Sequence, residues 1–274
     1  MALTARQLTP RIGSEIFAHR ADLLAGTHAA EIRALLAERG VLLLRGGDFS
    51  DDEEITFGKT IGRVRDDFGH SVMPITFDKA FNPKFADYFR SNTLWHFDGS
   101  WDDVPPFASI LTPRVLSATG GETEFANLYA AYDDLPDADK AMLDNVRVIH
   151  SMEASLRRAV PDPSEEQERA WNDFPEHPVP LVWRHASGRK SLVLSSTAVR
   201  IEGMERAEGD ALLARLTAHA TGPHYVYRHI WRMGDVLIWD NTGTAHRVLP
   251  FDIESGRRLH RVTLLGEETL REAA

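Results

Sequence analysis

Leu94-Trp95-His96-Phe97-Asp98-Gly99-Ser100-Trp101 sets an imidazole and a carboxylate two residues apart among bulky aromatics. In extended chain, residues i and i+2 point the same way, so His96 and Asp98 can meet one metal ion while Phe97 faces elsewhere. A third ligand must then come from a distant strand. That requirement bears on the fold, because strands far apart in sequence have to close around one point. His246, at the end of Trp239-Asp240-Asn241-Thr242-Gly243-Thr244-Ala245-His246, is the best candidate. Two histidines and one carboxylate on one face, with other positions open, suit a non-haem Fe(II) centre. In a chain with 12 histidines a lone His-x-Asp is common by chance, so the weight comes from its surroundings.

Working outward, Arg257, Arg258 and Arg261 follow His246, and on a strand 257 and 261 share a face. A guanidinium there can clamp a carboxylate through two hydrogen bonds without losing its charge. The competing reading is a solvated basic strand edge. Thr123, a hydroxyl on the Gly120-Gly121 turn, weakens that reading by offering the same carboxylate a second hydrogen bond.

The rest of the chain supplies a frame. Its 274 residues, 43% of them apolar, suffice for a substantial core. Lys+Arg 31 against Asp+Glu 41, a net charge of -10, argues against nucleic-acid or anionic-membrane partners. No cysteine is present, which excludes disulfides, thiolate metal sites and cysteine nucleophiles. The N-terminus lacks a signal-peptide core and no apolar run reaches membrane-spanning length, so a soluble cytoplasmic protein is expected.

Leu8 to Leu23 reads as one or two short strands. Thr27 to Glu38 reads as a helix with Thr27 as N-cap and Gly40 as stop, and Val41-Leu42-Leu43-Leu44 as a buried strand. Ser50 to Ile61 is a second helix opened by a Ser50/Glu53 capping box. Residues 63–93 are irregular, as expected for an active-site loop. Strands are expected at 107–112, around Phe125, and at 179–183, 191–195, 225–231, 235–239 and 259–265. Helices are expected at 128–143, broken near Leu135-Pro136, and at 209–220. The proline-rich stretch 157–180 reads as a surface excursion within a single domain, 1–274. Helices early, strands later and no regular βαβ alternation predict a mainly β barrel or sandwich with flanking helices.

At this point the residues resemble the TauD/TfdA family of Fe(II)/2-oxoglutarate-dependent dioxygenases, over nearly the whole chain. Gly40-Val41-Leu42-Leu43-Leu44-Arg45 resembles the family's opening. Trp95-His96-Phe97-Asp98-Gly99-Ser100-Trp101 is similar to its metal motif, followed by Pro105-Pro106. Gly120-Gly121-Glu122-Thr123 resembles its Gly-Gly-x-Thr turn and Gly188-Arg189-Lys190 a mid-chain motif. Gly234 to Asn241, leading to His246, and Arg257-Arg258-Leu259-His260-Arg261-Val262-Thr263 complete the set.

The resemblance implies a double-stranded β-helix, a cupin-like jelly roll, with outer helices. It implies His96, Asp98 and His246 as Fe(II) ligands, and Thr123 with Arg257 as holders of the far carboxylate of 2-oxoglutarate. Arg258 competes with Arg257 for that role, and the 11-residue offset from His246 favours Arg257. Arg261 would meet an anionic substrate group, with Asn92, His70 and Trp101 as further substrate contacts. Trp101 has ordinary core packing as its alternative, and Trp95 and Trp239 are expected to pack beside the site. The implied reaction consumes O2, releases succinate and CO2, and hydroxylates a small organic acid with an apolar part, with cleavage or desaturation as variants. A homodimer or homotetramer is also implied. Two rival readings remain: a zinc-dependent hydrolase on the same ligands, and a catalytically silent jelly roll that senses a small acid.

Overall fold

The chain folds, in a computed structural model that describes residues 2–67, 69–83 and 85–270, around two facing sheets. Residues 1, 68, 84 and 271–274, which the expected single domain and its loop include, lie outside the described residues. The first segment holds β1 (Thr4–Gln7), β2 (Ser14–Phe17), α1 (Arg20–Leu24), α2 (Ala29–Arg39), β3 (Val41–Leu44) and α3 (Asp51–Ile61). Next come β4 (Met73–Ile75), β5 (Ala108–Val115), β6 (Thr123–Asn127), α4 (Leu128–Asp133) and α5 (Asp137–Leu143). A third group follows: β7 (Arg147–His150), α6 (Met152–Ala159), α7 (Glu165–Asn172), β8 (His177–Pro180), β9 (Val182–Arg184), β10 (Lys190–Leu192) and β11 (Ala198–Ile201). The chain ends with α8 (Arg206–Ala220), β12 (Val226–His229), β13 (Val236–Asp240), β14 (Thr244–Val248) and β15 (Arg258–Thr263).

The large sheet runs β1-β2-β3-β13-β5-β15-β4 and the small one β12-β6-β14. Strand alternation assigns each side chain its layer. Val41, Leu111, Leu237, Trp239 and Leu259 of the large sheet meet Phe125 and Tyr227 of the small one in the inter-sheet core. Their neighbours Leu42, Ile110, Val236, Ile238 and Val262 point the other way, into a layer with Leu23 of α1, Ile32 and Leu36 of α2, and Phe57 and Ile61 of α3. This is the jelly-roll arrangement with helices packed outside, as the sequence predicts.

Several expectations shift in detail. The Ser50/Glu53 capping box is present, with both reciprocal hydrogen bonds. His28, not Thr27, is the N-cap of α2, and the Thr27 N–H instead bonds the Asp22 carbonyl at 3.0 Å. Within 157–180, α7 carries its own capping box, Ser164 with Gln167. There too, β8 pairs with β7 despite Pro178 and Pro180. Among the described residues it is an edge strand with β7 as its sole neighbour, and an edge tolerates proline because its outer N–H groups have no ladder to join. The stretch 63–93 contains β4 and a 3-10 helix, Tyr88–Thr93.

Candidate active site

His96 and His246 face each other as antiparallel bridge partners: the His96 N–H bonds the His246 carbonyl at 3.0 Å and the His246 N–H bonds the His96 carbonyl at 2.7 Å. This pairing joins two segments 150 residues apart and sets the rings 4.2 Å apart, centroid to centroid. Asn241 holds the third member in place. Its Oδ1 accepts from the Asp98 N–H at 2.9 Å, and its Nδ2 donates to the Asp98 carbonyl at 2.7 Å. The sequence reading gave Asn241 no such role, since a backbone clamp leaves no spacing signature.

Ligand atoms of His96, Asp98 and His246 lie within 4.8 Å of one another. The donor set fits a divalent cation. His96 Nδ1 sits 2.8 Å from the Leu94 carbonyl, which fixes the ring, while Nε2 is buried with no hydrogen-bond partner among the described residues. Burial pushes the His96 imidazole below its usual range, and burial reinforced by His96 pushes His246 well below, so both rings stay neutral and keep lone pairs to donate. Burial alone would raise Asp98, but the permanently charged Arg261 guanidinium outweighs it and holds the carboxyl at about 2. Arg261 Nη1 reaches both Asp98 oxygens at 3.2 Å.

One cavity joins the two histidines and Arg261. His96, His246, Thr123, Arg257, Arg261 and Asn92 line it together with Trp239 and a set of apolar side chains. Phe125 stacks on His246 at 5.9 Å and Trp239 packs at 4.8 Å from the same ring. Along β15, Leu259 and Arg261 face the cavity, as does Arg257 just before it; Arg258 points out, its guanidinium 3.9 Å from the Phe81 ring centroid. Alternation therefore places Arg257, not Arg258, in the cavity.

Arg257 is buried, and its seat is cut into the backbone. Its Nη2 donates to the Gly121 carbonyl at 2.8 Å, and its guanidinium lies over Phe251. Gly121, at φ +78, leaves room for it: a Cβ there would fall 2.7 Å from Arg257 Nε. Burial lowers Arg257 to about 10, still charged at neutral pH. Its buried Nε has no partner among the described residues. A buried cation with idle donors suits an anion.

Other predicted residues lie elsewhere. His70 is exposed at a turn, bridged by backbone to Asp67, and does not line the cavity. Trp101 does not line it either: it meets Tyr88 edge-on at 6.5 Å and packs against Met152, Leu156 and Trp171. Trp95 sits on the outer face of the small sheet, with Arg247 4.6 Å from its ring centroid. Residues the sequence reading missed are Ile75, Thr76, Phe77, Leu111, Val248, Phe251 and Leu259, which line the cavity but have no chemistry to mark them. A chain of buried Ser191, buried His185 and partly exposed Glu268 resembles a hydrolytic triad, at 2.9 and 3.1 Å. Ser191 is 0% exposed and also bonds the Thr242 carbonyl, so it ties structure together rather than meeting a substrate.

Comparison with known proteins gives one answer. The profile described as "Taurine catabolism dioxygenase TauD, TfdA family" matches residues 4–263. The chain belongs to this family. It is 33% identical to an alpha-ketoglutarate-dependent 2,4-dichlorophenoxyacetate dioxygenase of Burkholderia sp. (strain RASC), over 97% of this chain and 95% of that one. It is 34% identical to an alpha-ketoglutarate-dependent sulfate ester dioxygenase of Pseudomonas putida, over 97% and 91%. A crystal structure of AAD-2 in complex with Mn(II) and N-oxalylglycine superposes with a TM-score of 0.84 at 31% identity, covering 98% of this chain and all (100%) of that one. The protein is thus an oxidoreductase, a non-haem iron dioxygenase dependent on 2-oxoglutarate and O2, and the hydrolase and sensor readings fall away. Among the described residues no helix is long and apolar enough to cross a membrane.

Proposed function

We propose that this dioxygenase hydroxylates a small organic acid with an apolar body, with His96, Asp98 and His246 holding Fe(II) and Thr123 with Arg257 holding the distal carboxylate of 2-oxoglutarate. The supporting observation is one cavity lined by both histidines together with Thr123, Arg257, Arg261 and Asn92. Bound there, iron, 2-oxoglutarate and O2 supply the oxidation, with release of succinate and CO2.

The chain's own part is binding and orientation. Neutral His96 and His246 with ionised Asp98 present a single negative charge to the cation. Arg261 commits only Nη1 to Asp98, and its buried Nε has no partner among the described residues, which leaves donors for an anionic substrate group. Ile75, Phe77, Leu111, Val248 and Phe251 would cover the apolar body and keep water out. The two relatives named above act on an aryloxyacetate and on sulfate esters, consistent with an anion joined to an apolar group.

Succinate release with a panel of aryl and alkyl acids, each paired with its neutral amide, tests the substrate class. Acids should stimulate release and amides should not, and Arg261→Gln should erase the difference. Equal stimulation by amides would overturn the anionic assignment.

A further inference from the structure

The hydroxyl of Thr123 has a second neighbour besides the cavity. Trp231 Nε1–H donates to Thr123 Oγ1 at 2.9 Å, between two buried side chains. An indole N–H can only donate, so the direction of this bond is settled by chemistry. With its oxygen accepting from Trp231, the single hydroxyl hydrogen of Thr123 is left to donate, and the cavity beside Arg257 is where the residue lies. No other hydrogen bond to Thr123 Oγ1 occurs among the described residues.

Trp231 is itself held. Its ring meets that of His229 at 90°, centroids 4.4 Å apart. Both His229 nitrogens are engaged, Nδ1 with the Tyr227 hydroxyl at 2.9 Å and Nε2 with Asp235 Oδ2 at 3.1 Å. Asp235 Oδ2 also accepts from the Arg232 N–H at 2.8 Å and from Arg45 Nη1 at 2.5 Å. Such a chain is far more than packing an indole requires, and it fixes the donor's aim.

We propose that Trp231 is a positioning residue that occupies one lone pair of Thr123 Oγ1 and aims its hydroxyl hydrogen at the cavity, so that this wall accepts a carboxylate in preference to a neutral group. The proposal rests on the reading of Thr123 and Arg257 as the cradle for the distal carboxylate of 2-oxoglutarate. Without the indole N–H, the hydroxyl is free to rotate and the end of the cavity loses a prealigned donor.

The test is calorimetric binding to the Mn(II)-loaded full chain, with N-oxalylglycine as the probe that carries a distal carboxylate and oxalate as the chelator that lacks one. Trp231→Phe should weaken N-oxalylglycine roughly three- to tenfold and leave oxalate unchanged. In a Thr123→Val background, already about tenfold weaker, Trp231→Phe should add nothing. Equal weakening in both backgrounds, or of both probes, would show that Trp231 acts through packing and overturn the proposal. Loss in Thr123→Val with none in Trp231→Phe overturns the proposal alone, whereas no loss in Thr123→Val removes the cradle reading as well. Should Trp231→Phe fail to fold, benzothienylalanine placed at 231 replaces only the N–H by sulfur, and the same outcomes decide.

Discussion

The two ends of the cavity are built differently. Thr123, Val248, Leu259 and Arg261 project from strands of the two sheets, with Arg257 just ahead of β15. Their polar atoms are anchored from behind, Thr123 by Trp231 and Arg257 by the Gly121 carbonyl. Phe77 and Asn92 belong instead to 69–93, which has one three-residue strand and one 3-10 helix and leaves Phe81 57% exposed. Strands fix side chains by alternation, while loops fix them by whatever happens to pack nearby. The strand-built part therefore suits groups that must be held fixed, a cosubstrate carboxylate at Thr123 and Arg257 and an anion at Arg261, and the loop-built part suits the portion of a substrate that varies among relatives.

Breaking the strand-built end should have the largest effect. Arg257→Ala leaves a bound carboxylate without its buried cation, and the 2-oxoglutarate requirement in steady-state succinate release should rise roughly a hundredfold. Arg258→Ala, which only removes a guanidinium stacked on Phe81, should stay within about twofold. A reversed pair of results would move the cosubstrate contact to Arg258. Gly121→Ala is subtler: a Cβ at a positive φ, 2.7 Å from Arg257 Nε, costs about 1–3 kcal/mol of strain. The 2-oxoglutarate KM should rise about tenfold, with metal binding intact.

Outside the cavity, Trp101→Ala removes an aromatic packed on Tyr88 and the Met152, Leu156 and Trp171 cluster. It should lower unfolding free energy by about 2 kcal/mol in a denaturant titration while substrate KM hardly changes. A large KM change with unaltered stability would return Trp101 to the substrate.

A separate, pH-dependent effect concerns support behind the strand-built wall. Glu54 of α3 is buried against β5, and burial raises its carboxyl from 4.5 to about 8 even though Thr112 donates to it at 2.7 Å and Arg114 lies 3.5 Å away. The folded state therefore holds this proton more tightly than the unfolded chain. The contribution is full below pH 4.5 and is lost as pH rises through about 8. Melting temperature should fall across that window by the equivalent of up to about 1.4 kcal/mol per pH unit, and Glu54→Gln should flatten the slope. An unchanged slope in the variant would remove Glu54 as its source.

The same contrast explains what was legible in the sequence. The α3 capping box, the apolar run of β3 and the break at Leu135-Pro136 are local signals, and each marks a real boundary. The jelly roll and the reaction class were readable because the family's motifs occur in order at compatible spacings. By contrast, β14 was expected only as the distant strand that brings in His246 and had no readable bounds: Thr244-Ala-His-Arg-Val mixes polar and apolar residues on both faces and gives no clean period. The α7 capping box, Ser164 to Gln167, was a readable signal hidden by surrounding prolines. Trp231 and Asn241 went unread because their roles exist only in contacts across the fold. His70 and Trp101 were placed by loop register, which alternation does not constrain.

The central claim is that His96, Asp98 and His246 hold iron beside a 2-oxoglutarate cradle of Thr123 and Arg257. Anaerobic visible absorption of the Fe(II)-loaded protein, titrated with 2-oxoglutarate, addresses it directly. A weak metal-to-ligand band should appear with the wild-type chain, vanish in His96→Ala, and require far more 2-oxoglutarate in Arg257→Ala. A band of full intensity in His96→Ala, or none in the wild type at saturating 2-oxoglutarate, would contradict the assignment.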